Sequence, residues 1–300
     1  RDQVDGSRRN KMNPILSLQN VSKHYPKFDL EHVSFDVQPG HIMGYIGRNG
    51  AGKTTTLKAI YGLIGIDEGQ ILIDGEPLHR DERHMKDDIG ILFGGVDMHP
   101  NSKVAALTKV TSRFYSHWNQ KLYEEWIRYF GIDESKKIKE LSNGMKVKYL
   151  LALALSHQAK LLLLDEPTSG LDPVSRDELL DSLRRIAQKK GTSIVFSTHV
   201  ISDLEKIADD VTYIREGKIV ASSPIETFKK GYLHVEAEEA LLTPERESVL
   251  LHLRKRLGKF EGTIQAKDAS LFPLEALKEA GLEEIMLAIE RGQEDEESPL

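Results

Sequence analysis

Cysteine is absent from this 300-residue chain. That excludes disulfide frameworks, thiolate-held zinc or iron–sulfur centres, and a cysteine nucleophile. Long apolar runs are missing as well. The longest aliphatic stretch is Leu150–Leu155, far short of the ~18 residues that a membrane-spanning helix needs. The 11 histidines never recur four residues apart, so no helical metal pair is expected. No block of Lys and Arg marks a nucleic-acid surface, and no nucleic-acid partner is expected. No secretory pattern opens the sequence, and the expected location is cytoplasmic. The composition itself, 39% hydrophobic and 29% charged with a mean hydropathy of −0.39, is that of a soluble globular chain.

Charge is unevenly spread over the net −6. Residues 231–300 hold 16 acidic and 8 basic side chains, while the remainder holds 31 acidic and 33 basic. The acidic end, Glu294–Glu297, reads as a solvated tail. Residues 1–11 are polar and read as a leader or expression remnant before Met12. From Ile15 to about Ala221, short apolar strands alternate with amphipathic helices. This pattern predicts a mainly parallel sheet covered on both faces. Strands are expected at 15–21, 33–37, 42–46, 71–73, 89–93, 161–164, 194–197, 211–214 and 219–221. The short connection between the first two places them in a separate antiparallel layer.

Two helices are well signalled. Asp172 as N-cap and Pro173 at the first helical position open one. It should bury Leu179, Leu180, Leu183, Ile186 and Ala187 and end before Gly191. Ser202-Asp203-Leu204-Glu205 reads as the capping box of another. Between 103 and 155 strand signals vanish. Helical spacing appears there with Phe114, Tyr115, Trp118, Tyr123, Trp126 and Phe130, which predicts an inserted helical subdomain. Those aromatics suit core packing, with a partner groove as the alternative. In residues 231–300, strands are expected at 233–237 and 263–266. Leu274, Leu277, Leu282, Ile285, Met286 and Ile289 suggest one or two helical faces broken at Gly281. This extension reads as a packing or dimer-stabilising appendage, with a ligand-sensing domain as the alternative.

The chemistry lies in a few short segments. Gly47-Arg48-Asn49-Gly50-Ala51-Gly52-Lys53-Thr54 fits the phosphate-binding pattern GxxxxGK[ST] between an apolar strand and a helix. Its glycines let backbone N–H groups wrap a phosphate at a helix N-terminus. Lys53 would reach the β- and γ-phosphates, and the Thr54 hydroxyl would meet Mg²⁺. Thr55 continues the nucleotide-binding stretch. Leu161–Leu164 then runs into Asp165-Glu166-Pro167. At the carboxyl end of a parallel strand, Asp165 would face the metal through water and Glu166 would polarise the attacking water. His199 follows a strand expected to neighbour that of Asp165, so its imidazole can reach the γ-phosphate.

Leu141-Ser142-Asn143-Gly144-Met145 and Ser169-Gly170-Leu171-Asp172 complete an order that resembles the nucleotide-binding subunit of an ABC transporter, over about Ile15 to Phe228. The resemblance implies an α/β fold: a RecA-like P-loop NTPase core with an antiparallel β layer and an inserted α-helical subdomain. With the family boundary placed at residue 230, a small α+β extension follows. It also implies ATP and Mg²⁺ as cofactors, and a head-to-tail homodimer or heterodimer in which Ser142 and Gly144 of one subunit meet the γ-phosphate held by Lys53 of the other. Asp172 counts with the nucleotide-binding residues, and Tyr25 falls where the family stacks an aromatic on adenine. A separate integral-membrane permease is implied, with the ATPase peripheral to the inner face of the membrane. Export of peptide or antibiotic-like substrates is the favoured direction.

Two departures stand out. Asn143 and Met145 replace the usual Gly and Gln of the signature, although Ser142 and Gly144 persist. No Gln occurs between Gln70 and Gln120, where the family has one touching Mg²⁺. Gly94 is its expected counterpart. Asp97 or His99 could take over, or a water could fill the place. Two alternatives remain at this level. One is a soluble ABC ATPase of chromosome maintenance or translation, disfavoured by the short, heptad-free interval from Lys53 to Leu141 and by the single cassette. The other is a non-hydrolysing regulatory module, supported by the absent Gln.

Overall fold

The computed structural model describes residues 13–78, 87–93 and 99–291. They form two compact units. One runs to residue 199 and includes 206–222; the other comprises 200–205 and the chain from 223 onward.

In the first unit, β1 (Leu16–Tyr25) and β2 (Phe28–Val37) form an antiparallel hairpin. Val33, Phe35 and Val37 alternate inward with the period of two that a half-covered strand requires. β4 (Glu68–Ile73) and the short β5 (Glu76–Pro77) extend this sheet in the order β2-β1-β4-β5. The central sheet contains β3 (Ile42–Ile46), β6 (Ile89–Leu92), β7 (Leu161–Asp165), β8 (Ser193–Thr198), β9 (Asp210–Arg215) and β10 (Lys218–Pro224), in the order β10-β9-β3-β8-β7-β6. β3, β7 and β8 are buried along their whole lengths, as expected of parallel strands covered on both faces. Leu16, Leu18, Val33, Val37, Tyr45, Leu57, Leu163 and Val195 belong to one continuous core, so the two sheets share their packing.

The helix α1 (Lys53–Ile60) follows β3 directly. The inserted helical part comprises α2 (Val104–Thr111), α3 (Gln120–Phe130) and α4 (Asn143–Ser156). Tyr123, Ile127 and Phe130 form the buried stripe of α3, at helical spacing. Thr108 lies 2.7 Å from the Tyr123 hydroxyl and 3.0 Å from that of Tyr149, a buried polar knot that ties the three helices together. Phe114 departs from the expected core role. It ends a 3-10 turn, Ser112–Phe114, outside the α2 register, and is 77% exposed. Tyr115 instead stacks on His157 at 3.9 Å. α5 (Pro173–Lys190) has the expected Asp172 cap, buried face and left-handed Gly191 terminus.

α6 (Ile201–Ile207) starts earlier than the expected capping box. The Asp203 N–H donates to the Val200 carbonyl, which closes the first turn with Ser202 already inside it. The C-terminal unit contains α7 (Ile225–Lys230), β11 (Tyr232–Glu238), α8 (Pro244–Val249), β12 (Leu251–Arg256), β13 (Lys259–Gln265), β14 (Leu277–Glu279) and α9 (Leu282–Arg291). Its sheet order is β12-β13-β11-β14, and Val235, Leu250, Phe260, Ile264, Phe272 and Ala276 are its core. Strand β12 lacks a sequence signal because Arg254, Lys255 and Arg256 occupy its exposed edge. Leu274 and Leu277 do not lie on an α-helix. Leu274 sits exposed in a 3-10 turn, and Leu277 pairs with Val235.

Candidate functional site

Strand order creates the site. β8 lies between β3 and β7, so three chain reversals open side by side at their carboxyl ends. β3 leads into Gly47, β7 ends in Asp165-Glu166, and β8 ends at Thr198 before His199. The register sets Asp165 beside Ser197 and Ile46 beside Thr198.

The loop from Gly47 to Gly52 wraps closely because its glycines allow it. A Cβ on Gly47 would lie 2.4 Å from the Ile214 carbonyl oxygen, and Gly50 and Gly52 have φ of 84° and 111°. No side chain caps the first turn of α1, so its leading N–H groups form an open anion cradle. Beneath it, the buried Tyr45 hydroxyl meets Thr56 at 2.9 Å, and Thr56 donates to the Gly52 carbonyl. Arg48, Asn49 and Gly50 are exposed, Ala51 is buried, and Thr55 is half-buried. Gly47→Ala is therefore expected to destabilise the fold by ~1–3 kcal/mol, the usual cost of overpacking, because the clash is with backbone. Urea unfolding would check this; wild-type stability would mean that the β9 end can yield.

Lys53 is 5% exposed and donates to the carbonyls of Gly47 at 2.6 Å and Arg48 at 3.2 Å. Its Nζ lies 3.7 Å from Glu166 Oε1. Burial pushes the Lys53 ammonium below its ordinary pKa, and the Glu166 and Asp165 carboxylates oppose that shift. The Thr54 hydroxyl donates to Asp165 Oδ2 at 2.6 Å. Glu166 Oε2 lies 2.7 Å from His199 Nδ1. Five expected residues thus form two contact sets, Lys53–Glu166–His199 and Thr54–Asp165, which lie side by side because 53/54 and 165/166 are adjacent positions. The donors beside the phosphate cradle are hydroxyl and carboxylate oxygens, the hard set that suits Mg²⁺. Among the described residues no three His, Asp or Glu side chains cluster as a complete metal cage. Phosphate oxygens would have to complete the coordination of such an ion.

The remaining expected residues lie elsewhere. Tyr25 ends β1 at the hairpin tip, 40% exposed, with Lys23 Nζ 5.7 Å from its ring centroid. Its cross-strand partner Phe28 reaches to within 2.9 Å of where a Cβ on Gly52 would stand. The hairpin tip therefore lies against the phosphate loop. Ser142 caps α4, its hydroxyl accepting from the Met145 N–H at 3.2 Å. Gly144 is buried against Ser175, where a Cβ would come within 3.2 Å of that side chain. Asp172 caps α5 through the N–H groups of Val174 and Ser175, and its hydrogen bonds with Ser175 hold its carboxyl below the ordinary range. Gly94 and Asp97 lie outside the described residues. His99 is exposed with φ of 51°, and its carbonyl accepts from the Ser102 N–H.

Two features escaped sequence reading. Asp165 and Glu166 open onto a cavity of about 340 Å³, lined also by Phe93, Asn143 and Val147. Ser197 contacts both acidic residues; its position two before His199 was the available signal, but only the strand register exposes it.

Comparisons with known proteins identify the family. The ABC transporter family profile matches residues 30–169. The bacitracin transport ATP-binding protein BcrA of Bacillus licheniformis is 32% identical over 222 residues, 73% of this chain and 72% of the relative. A Nod factor export ATP-binding protein of Burkholderia pseudomallei is 34% identical over 212 residues, 69% of each chain. Among solved structures, a dimeric ATP-binding cassette in a post-hydrolysis state with ADP and Pi matches with a TM-score of 0.61. It is 21% identical, over 70% of this chain and 98% of that chain.

Proposed function

The chain belongs to the ABC transporter family as an ATP-binding, ATP-hydrolysing subunit, and from that premise we propose that it binds MgATP between two subunits and drives a separate membrane permease that exports a peptide or antibiotic-like compound. The observation that carries this reading is the pair of contact sets formed by Lys53, Thr54, Asp165, Glu166 and His199 at three adjacent strand ends.

Lys53 and the amides of the loop bind the β- and γ-phosphates and stabilise charge developing on the phosphoryl oxygens. Thr54 and Asp165 are the residues that would hold Mg²⁺, which when bound supplies charge neutralisation at the phosphates. Glu166 orients the attacking water and accepts its proton. His199, hydrogen-bonded to Glu166, aligns that carboxylate and meets the γ-phosphate. Tyr25 stacks on the adenine, a contact worth ~1–3 kcal/mol for a base on an aromatic ring.

Ser142 and Gly144 stand at the head of α4, where the family resemblance gives them a role toward the nucleotide of a second subunit. The dimeric cassette that shares the fold supports that arrangement. Either a homodimer or a heterodimer would satisfy it. No helix of the described residues is long and apolar enough to cross a membrane. The proposed permease is a separate polypeptide, which would hold the subunit at the inner membrane face. The name of the Nod factor export relative supports export, and that of the bacitracin transport relative supports an antibiotic-like substrate. Among the described residues, those from 223 onward contribute none of the contacts named above for the phosphate site, which supports a packing or dimer-stabilising appendage.

Affinity purification of the tagged chain from native membranes with MgATP tests the proposal. A co-purifying protein with several membrane spans is expected. Recovery of soluble partners alone, at saturating nucleotide, would overturn the transport reading.

A further inference from the structure

A serine at the centre of the sheet calls for a chemical reason. β8 reads Ser193–Thr198, and Ile194, Val195 and Phe196 are wholly buried hydrophobes. Ser197 is equally buried, at 0% exposure, and a hydroxyl there is costly unless its hydrogen bonds are made. They are made to the two acidic residues. The Ser197 hydroxyl donates to Asp165 Oδ1 at 2.5 Å. The same oxygen accepts from the Glu166 backbone N–H at 3.2 Å, which is shared with the Ser197 carbonyl at 3.0 Å. A hydroxyl has one proton to give. Accepting from an N–H therefore commits that proton to the Asp165 carboxylate.

Two consequences follow for the site. Asp165 is gripped at both oxygens, with Oδ1 on Ser197 in the core and Oδ2 on Thr54 at the head of α1. The core-side grip fixes the carboxylate plane, and with it the direction in which Oδ2 points. Glu166 has φ of 51°, a left-handed conformation uncommon for a non-glycine residue and held only where neighbours impose it. Its N–H anchored on β8 is such a restraint. The left-handed turn brings the side chain to His199 and Lys53.

We infer that Ser197 is a positioning residue of the ATPase: its hydroxyl aims Asp165 toward the Mg²⁺ position at Thr54 and holds Glu166 in its water-facing turn. The inference rests on the MgATP reading of this site. Outer partners of metal-holding groups commonly contribute ~10–100-fold to metal affinity or activity.

The test compares Ser197→Thr with Ser197→Val, which have nearly the same shape and differ in the hydroxyl, with Ser197→Ala alongside. Two quantities are measured: kcat at saturating MgATP, and the ratio of ATP affinity with Mg²⁺ to ATP affinity in EDTA by calorimetry. Ser197→Val and Ser197→Ala are expected to lower kcat by ~10-fold or more and to lose most of the Mg²⁺-dependent affinity. ATP affinity in EDTA should stay within about 2-fold of wild type, since the loop–phosphate contacts are retained. Ser197→Thr should recover most of both quantities. Equal behaviour of the Thr and Val variants would overturn the inference, as would a loss of affinity in EDTA as large as the loss with Mg²⁺. A wild-type chain that binds MgATP without hydrolysing it would count against the turnover reading alone. The Mg²⁺-dependent affinity would still decide the role of Ser197.

Discussion

Glu166→Gln is expected to reduce ATP turnover by ~10²–10⁴-fold, the usual range for loss of a general base, while MgATP still binds. The amide preserves the size of the side chain and can keep a hydrogen bond to His199, now at 2.7 Å, but it cannot take the proton of the attacking water. It also removes a negative charge 3.7 Å from Lys53, in the region where the γ-phosphate would lie. Repulsion between carboxylate and nucleotide is lost at the same time as the base. Bound ATP should therefore persist, and with it the two-subunit assembly. Phosphate release assays measure the first effect, and size-exclusion chromatography in MgATP against ADP measures the second. Turnover within about tenfold of wild type would remove Glu166 from the base role.

Lys53→Ala should weaken ATP binding by at least ~2 kcal/mol, since hydrogen bonds to charged groups contribute about that much. Lys53 is the cation at the centre of the cradle, 5% exposed, and burial has already removed most of its hydration. Much of the desolvation that a phosphate contact would require is therefore met by the fold. The ammonium also bridges the Gly47 and Arg48 carbonyls, so its removal loosens the loop. Calorimetric titration with ATP in EDTA isolates the phosphate contact from the metal, and thermal unfolding alongside reports on the loop. Unchanged affinity in a folded variant would refute the assignment of this loop as the phosphate site.

Legibility differed sharply between the two units. In the ATPase unit, continuous apolar runs such as Leu161–Leu164 sit on strands buried on both faces, and the Asp172, Pro173 and Gly191 signals bound α5 as read. The C-terminal sheet was harder to read because it is small and largely exposed. The charged edge of β12 conceals a strand, and Leu257-Gly258, at φ of 52° and 76°, turns the chain without an Asn-Gly or Asp-Gly signal. Leu274 and Leu277 have helical spacing, but pairing of Leu277 with Val235 satisfies its backbone in a sheet instead.

The sequence alone marked the candidate phosphate loop and the acidic strand end, because each needs particular residues at fixed short spacings on one element, and it marked His199 by its place after an apolar strand. It also determined the family, through the order of those motifs. Tertiary structure decided what those motifs touch. Asp165 and Ser197 are 32 positions apart, and only parallel pairing of β7 with β8 sets them opposite one another. The same holds for Gly47 against Ile214 and for Phe28 against Gly52. Local pattern encodes which face of a strand is apolar, whereas strand order and register depend on how all the strands together bury those faces. The hydroxyl that grips the Asp165 carboxylate and the Glu166 backbone N–H therefore becomes visible only once the sheet is assembled.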